Sequence, residues 1–242
     1  MPTLYLKDQR RSSSPQFGQS ALPNHISNSP KTLILVPQGA EYQAVRKNLK
    51  TNQNLVILPI PIGCLAVSKY LETLEEPQQF QQAIAMGLCG SLNPHLKVGD
   101  IAIYTECLDL TKLQTANEFL ECCLKPDIRN KFTLVKALTS DRLIYLASEK
   151  QYLHQTTQTD VVDMEGYVIL EFFKKLNIPV GMIRVVSDDS NYDLPNLDQA
   201  IDREGNLKPL AMAIAFSKQP IAAFRLIQGS LKSLQVLSKV SF

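Results

Sequence analysis

Short apolar runs alternate along the chain with longer stretches whose apolar positions recur every three to four residues. "TLILVP" (32–37), rich in branched residues and bounded by Pro and Gly, predicts a buried strand. "EYQAVRKNLK" (41–50) predicts a helix and "LVILPI" (55–60) a second strand. Residues 64–75 place Leu65, Tyr70, Leu71 and Leu74 on one helical face. "AIAMGLCG" (83–90) reads as a strand running into a glycine-rich turn, and "DIAIYTEC" (100–107) and "FTLVKALTS" (132–140) as further strands. "MEGYVILEFFKKL" (164–176) is helical, stopped by "NIP"; "VGMIRVVSD" (180–188) is a strand whose composition suits burial on both faces. Strands interleaved with helices define an α/β layered sheet, and no internal repeat is visible.

The remaining pattern lies at the ends. Residues 1–30 carry Pro, Ser, Asn and Gln but no apolar core of a signal peptide, and read as an irregular leader ahead of one domain spanning 31–242. Residues 205–242 hold five basic residues (Lys208, Lys218, Arg225, Lys232, Lys239) and no acidic one. From 219 on, Ile221, Phe224, Ile227, Leu231, Leu234 and Leu237 recur at helical spacing. Two readings stand: a terminal helix packed on the sheet, or a basic amphipathic surface that touches a membrane or an apolar substrate.

Composition narrows the class. The 242 residues are 45% hydrophobic and 20% charged, as in an ordinary globular protein with a sizeable core. A net charge of +2 argues against a nucleic-acid partner. The five cysteines (Cys64, Cys89, Cys107, Cys122, Cys123) are scattered without a C-x-x-C pair and point to a reducing, cytoplasmic setting. The three histidines (His25, His95, His154) lack metal-ligand spacing, so neither a metal nor a cofactor is expected.

Candidate chemistry starts from "VVDMEGYVIL" (161–170), where Asp163 and Glu165 sit inside an apolar run. A carboxylate buried without a partner costs several kcal/mol, so each must be bonded, cap a helix or do chemistry. In an open α/β sheet, ligands bind beyond the carboxyl ends of strands. Glu41 follows the first strand, Glu165 the valine pair and Asp188 the 180–186 run, so the three acids could converge on one cleft. Gly87 and Gly90 stand beside that cleft, where backbone approaches a ligand without side-chain hindrance. Asp163 is expected to cap the 164–176 helix.

Three segments carry a resemblance: "LILVPQGAEYQAV" (33–45), "AIAMGLCGSLNPHLKVGDIAIYTE" (83–106) and "VVDMEGYVILEFFKKLNIPVGMIRVVSDDSNYD" (161–193). They resemble the purine nucleoside phosphorylase/nucleosidase superfamily over about residues 32–195, and most of all its methylthioadenosine/S-adenosylhomocysteine nucleosidases. The specific signatures are Gly-x-x-Gly-x-x-x-Pro-x-x-x-x-Gly-Asp and a Met-Glu pair followed by Arg-x-x-Ser-Asp. The resemblance implies a three-layer fold, a central mixed sheet flanked by helices, assembled as a homodimer. It implies hydrolysis of the N-glycosidic bond of a purine nucleoside. On that basis Asp188 protonates the purine ring, Glu165 binds the ribose hydroxyls over Met164, Glu41 orients water and Ser187 supports Asp188. Gly87, Cys89 and Gly90 would border the substrate.

Two departures qualify the match. In phosphorylases an arginine and a serine hold phosphate around the first glycine turn, whereas Ala85 and Leu88 stand there, which favours water over phosphate as acceptor. Arg46 or Arg142 remains as a phosphate contact from elsewhere. Nucleosidases stack an aromatic residue on adenine where "TSDRLIYL" (139–146) offers Arg142, Leu143 and Ile144. The tail resembles hopanoid-associated phosphorylase-type proteins, which process a lipid-linked adenosyl group, through "DREGNLKPLAMAIAFSKQPIAAFRLI" (202–227).

Overall fold

Strand β1 (Lys31–Pro37) shows how the sequence builds the layers. Leu33 and Leu35 face one side and pack with Val67, Leu71, Ile169 and Phe173. Ile34 and Val36 face the other and pack with Val45, Leu49 and Leu237. Both sets are fully buried, so the period of two along a wholly apolar strand serves two cores at once. This arrangement is seen in a computed structural model that describes residues 31–49, 52–112, 120–122, 132–202 and 206–240. The leader at 1–30, with His25, lies outside these residues, as does Cys123.

The other strands are β2 (Leu55–Ile60), β3 (Phe80–Ser91), β4 (Ile101–Asp109), β5 (Leu120–Glu121), β6 (Thr133–Thr139), β7 (Val161–Asp163) and β8 (Val180–Asp188). The helices are α1 (Ala40–Leu49), α2 (Cys64–Glu72), α3 (Ala147–Thr157), α4 (Gly166–Lys175), α5 (Pro209–Lys218) and α6 (Pro220–Leu237). Helices α2 and α4 cover one face of the sheet and α1 and α6 the other, giving a three-layer α/β fold with a mixed sheet. Helix α3 appears where the sequence pattern predicts no element; it buries Lys150 and Leu153.

The strand order is β2-β1-β3-β7-β6-β4-β5, and β8 pairs with both β3 and β4. That double pairing closes β3, β8, β4, β6 and β7 into a ring. The glycines expected in a turn lie inside β3 instead: Gly87 pairs with Arg184 and Gly90 with Asp188, so the strand continues through them. Along the opposite edge of β3, pairing with β1 ends at Ala85 and pairing with β7 begins at Gly90. The edge between is left to side chains, and the candidate site forms there.

Helix α6 locks the far side. A Cβ at Gly229 would lie 2.1 Å from the Ser187 carbonyl oxygen, so only glycine permits this approach to β8. The Ser233 hydroxyl, one turn on, donates to the Val186 carbonyl at 2.5 Å.

Candidate active site

The three candidate acids, from three separate elements, line one cavity of about 160 Å³ together with Asp163. Glu41 comes from the first turn of α1, Glu165 from the entry to α4 and Asp188 from the end of β8. The strand-end argument therefore places all three at a common space. Cys89, Gly90, Arg142, Leu143, Ile144, Met164 and Ser187 line it as well. Gly87 does not; it lies behind, where an added Cβ would fall 2.4 Å from Arg184 Nη1 and 2.5 Å from Glu41 Oε2. Its lack of a side chain lets that acid and that cation approach across β3. A second cavity of about 400 Å³ shares Ile62, Arg142, Leu143 and Met164 with the first and adds Asp141, Leu197 and Asp198.

Each acid is held by backbone or by a hydroxyl. Glu41 Oε2 accepts the Leu88 N–H at 2.7 Å, on the edge of β3 that neither β1 nor β7 pairs. Glu165 Oε1 accepts the Gly63 N–H at 2.9 Å. Gly63 has φ 92°, a left-handed conformation that glycine adopts without strain. Asp188 Oδ1 accepts the Ser187 hydroxyl at 3.0 Å, and a Cβ at Gly90 would crowd Asp188 Oδ2 at 3.0 Å.

Asp163 accepts the Gly166 N–H at 3.1 Å at the start of α4, as a cap would. It does more than cap. Its carboxylate also accepts the Thr139 hydroxyl at 2.7 Å and the Tyr104 hydroxyl at 3.3 Å. It pairs with Arg184 Nη2 at 3.3 Å. Arg184 is wholly buried and also lies 3.6 Å from Glu165 Oε2. One guanidinium thus faces Asp163 and Glu165 directly and Glu41 across Gly87. Its role is missed if the strand is read by hydropathy alone. The available signal was a lone cation in an apolar run, which must find acids when buried.

The electrostatics follow from burial. Removal from water pushes the Glu41 carboxyl up to about 7, with Arg184 opposing and Glu165 and Asp163 adding to the rise. Burial likewise raises Glu165, against the pull of Arg184. Arg184 stays charged because its acidic neighbours outweigh its desolvation. A carboxyl poised near neutrality beside a fixed cation can both orient a polar molecule and take a proton from it.

Neither candidate phosphate-binding arginine has that function built in. The Arg142 guanidinium is engaged by Glu149, with Nη2 to Oε1 at 2.5 Å and Nη1 to Oε2 at 3.2 Å. Arg46 lies over the Tyr42 ring at 6.0 Å and does not line the cavity. Among the described residues no group of His, Cys, Asp and Glu is arranged to hold a metal ion.

The fold is shared with known proteins. The Phosphorylase superfamily profile matches residues 22–149, more than half of the chain, and the chain belongs to that superfamily. No curated protein sequence matches it. Among solved structures, it is similar to the 5'-methylthioadenosine/S-adenosyl homocysteine nucleosidase of Helicobacter pylori, with a TM-score of 0.63 at 16% identity, over 87% of this chain and 95% of that one. The corresponding nucleosidase of Campylobacter jejuni gives 0.57 at 18% identity, over 88% and 100%. The futalosine hydrolase of Helicobacter pylori gives 0.62 at 16%, over 87% and 94%. At such identities the likeness establishes the fold.

Proposed function

We propose that the cavity hydrolyses the N-glycosidic bond of a 5′-substituted adenosine, of the methylthioadenosine/S-adenosylhomocysteine type, and releases adenine. The observation that carries this reading is the meeting of Glu41, Glu165 and Asp188 around one small space that also contains Met164. Adenine leaves poorly as an anion, so a proton delivered to its ring from Asp188 lowers the barrier. The sugar develops oxocarbenium character, which the Glu165 carboxylate stabilises while binding the ribose hydroxyls. Met164 forms the apolar floor beneath the sugar, and Leu143 and Ile144 flank the base. Glu41 orients the attacking water and accepts its proton.

Water is favoured over phosphate by charge. Among the described residues four acids line the cavity (Glu41, Asp163, Glu165, Asp188), and the one lining cation, Arg142, is already paired with Glu149. The cations near the cavity are thus already engaged, Arg142 by Glu149, Arg184 by Asp163 and Glu165, and Lys150 by Asp188, so a phosphate dianion entering there finds no built partner. The decisive assay incubates the protein with methylthioadenosine, S-adenosylhomocysteine, futalosine and adenosylhopane, with and without phosphate, and separates free base by chromatography. Free base without phosphate is the expected result. Release only with phosphate would establish phosphorolysis, and no release from any substrate would end the nucleosidase reading.

A second part of the proposal concerns the tail. Helix α5, "PLAMAIAFSK", buries none of its residues. Leu210 is 76% exposed, Ile221 70% and Phe224 59%. Seven large apolar side chains between 207 and 231 face outward, in a segment with basic residues and no acidic ones. That combination suits an anionic membrane surface and a lipid-linked substrate. Phe224→Glu and Ile221→Glu together are expected to abolish co-sedimentation with phosphatidylserine vesicles while leaving hydrolysis of a soluble nucleoside intact. An intact protein that does not sediment would remove this part alone.

A further inference from the structure

Lys150 is the one lysine among the described residues with a fully buried side chain, and the active-site motif says nothing of it. It stands on α3, one turn before the buried Leu153, in a helix of otherwise polar character. Burying an ammonium without a partner is costly. The carboxylate it pairs with is Asp188: Nζ donates to Asp188 Oδ2 and, at 3.1 Å, to the Asp189 carbonyl oxygen.

The Asp188 carboxyl is therefore held at both oxygens, by the Ser187 hydroxyl on Oδ1 and by Lys150 on Oδ2. Its side chain keeps 11% exposure, while that of Lys150 has none. Lys150 does not line the cavity, whereas Asp188 does. We infer that Lys150 is a positioning residue that acts through Asp188, fixing its carboxyl toward the leaving base and supplying the proton that Asp188 passes on. The inference rests on the nucleosidase reading above.

As the glycosidic bond breaks, its electron pair passes to the purine, and a proton from Asp188 reaches the ring. That proton is the one shared with Lys150: it shifts from Nζ to Oδ2 as the base leaves and passes on to the ring, leaving a carboxylate beside a neutral amine. The attacking water forms the new bond to the sugar carbon and loses its proton to Glu41, which returns it to solvent. Solvent then restores the ammonium. Before transfer the lysine–aspartate pair carries zero net charge whether the shared proton lies on nitrogen or on oxygen; the negative charge it holds afterwards is matched by the proton that Glu41 gains, so the net charge of the site is unchanged.

The test is a double-mutant cycle on adenine release from methylthioadenosine. Lys150→Met is expected to lower kcat roughly 10- to 100-fold with KM nearly unchanged, since it touches the acid step and not the substrate. In an Asp188→Asn background the same change should have almost no further effect. Lys150→Arg, which keeps the charge, should recover part of the rate. Lys150→Gln serves in the cycle if the Met variant does not fold. An equal loss in both backgrounds would show a merely structural lysine and overturn the inference, as would a folded variant with wild-type turnover. Both results require an active wild-type protein; a wild-type protein that releases no base from any substrate in the panel sinks the nucleosidase reading itself, and the inference with it.

Discussion

Asp188→Asn is expected to bind a nucleoside substrate with little change in affinity and to lose turnover by about 10²–10⁴-fold. The substitution preserves shape. The amide oxygen still accepts the Ser187 hydroxyl or the Lys150 ammonium, so the side chain keeps its place at the end of β8. What it lacks is a transferable proton, because an amide N–H is far too weak an acid to protonate a purine during bond cleavage. Calorimetric binding and single-turnover release of free base separate the two effects. Retained binding with lost turnover fits the assigned role. A variant as fast as wild type would remove Asp188 from the chemistry and leave the acid step without a donor. Loss of both binding and turnover, with the fold intact, would instead make Asp188 a recognition group for the base.

Much of the fold is legible in the chain because its strands are buried on both faces. Runs such as "TLILVP" and "VGMIRVVSD" have no other stable location, and their bounds match β1 and β8 to within a residue. What cannot be read is pairing. That β8 runs parallel to β3 and antiparallel to β4 is decided by tertiary closure, and hydropathy is indifferent to it. The glycines of "GLCG" look like a turn because glycine usually marks one. Here they are strand residues whose missing side chains admit Glu41, Arg184 and Asp188 to the space beside β3. The acids of the site are legible because each follows an apolar run. Their cationic partners are not. Arg184 offers the weak signal of one charge in a buried strand. Lys150 offers none, since "ASEKQYLHQTT" has the composition of a solvated helix and the burial of one lysine depends on where α3 docks.

Glu41→Gln is expected to trade activity for stability, and pH makes the trade visible. In the wild type the carboxylate must be ionised to accept a proton from water, yet burial pushes its pKa up to about 7. The hydrolysis rate should therefore rise as pH approaches 7 and level off above it, falling towards tenfold per pH unit on the acid side. Gln at this position cannot take that proton, so the rate should drop by about 10²–10³-fold and the acid limb should vanish. Stability moves the other way. The native carboxyl holds its proton more tightly than the ordinary value of 4.5 for the unfolded chain, so between about 4.5 and 7 the folded state binds more protons. Its contribution is complete below 4.5 and is lost as pH rises through 7. The neutral amide suffers no such loss. The variant should match the wild type in acid and exceed it above pH 7, by on the order of 1–2 kcal/mol given the partial opening of Glu41 to the cavity. Urea unfolding at pH 5 and pH 8 measures the difference. A variant less stable than wild type at pH 8 would mean that the attraction between Glu41 and Arg184 exceeds the cost of burying the charge, and that the acid is held ionised in the resting site.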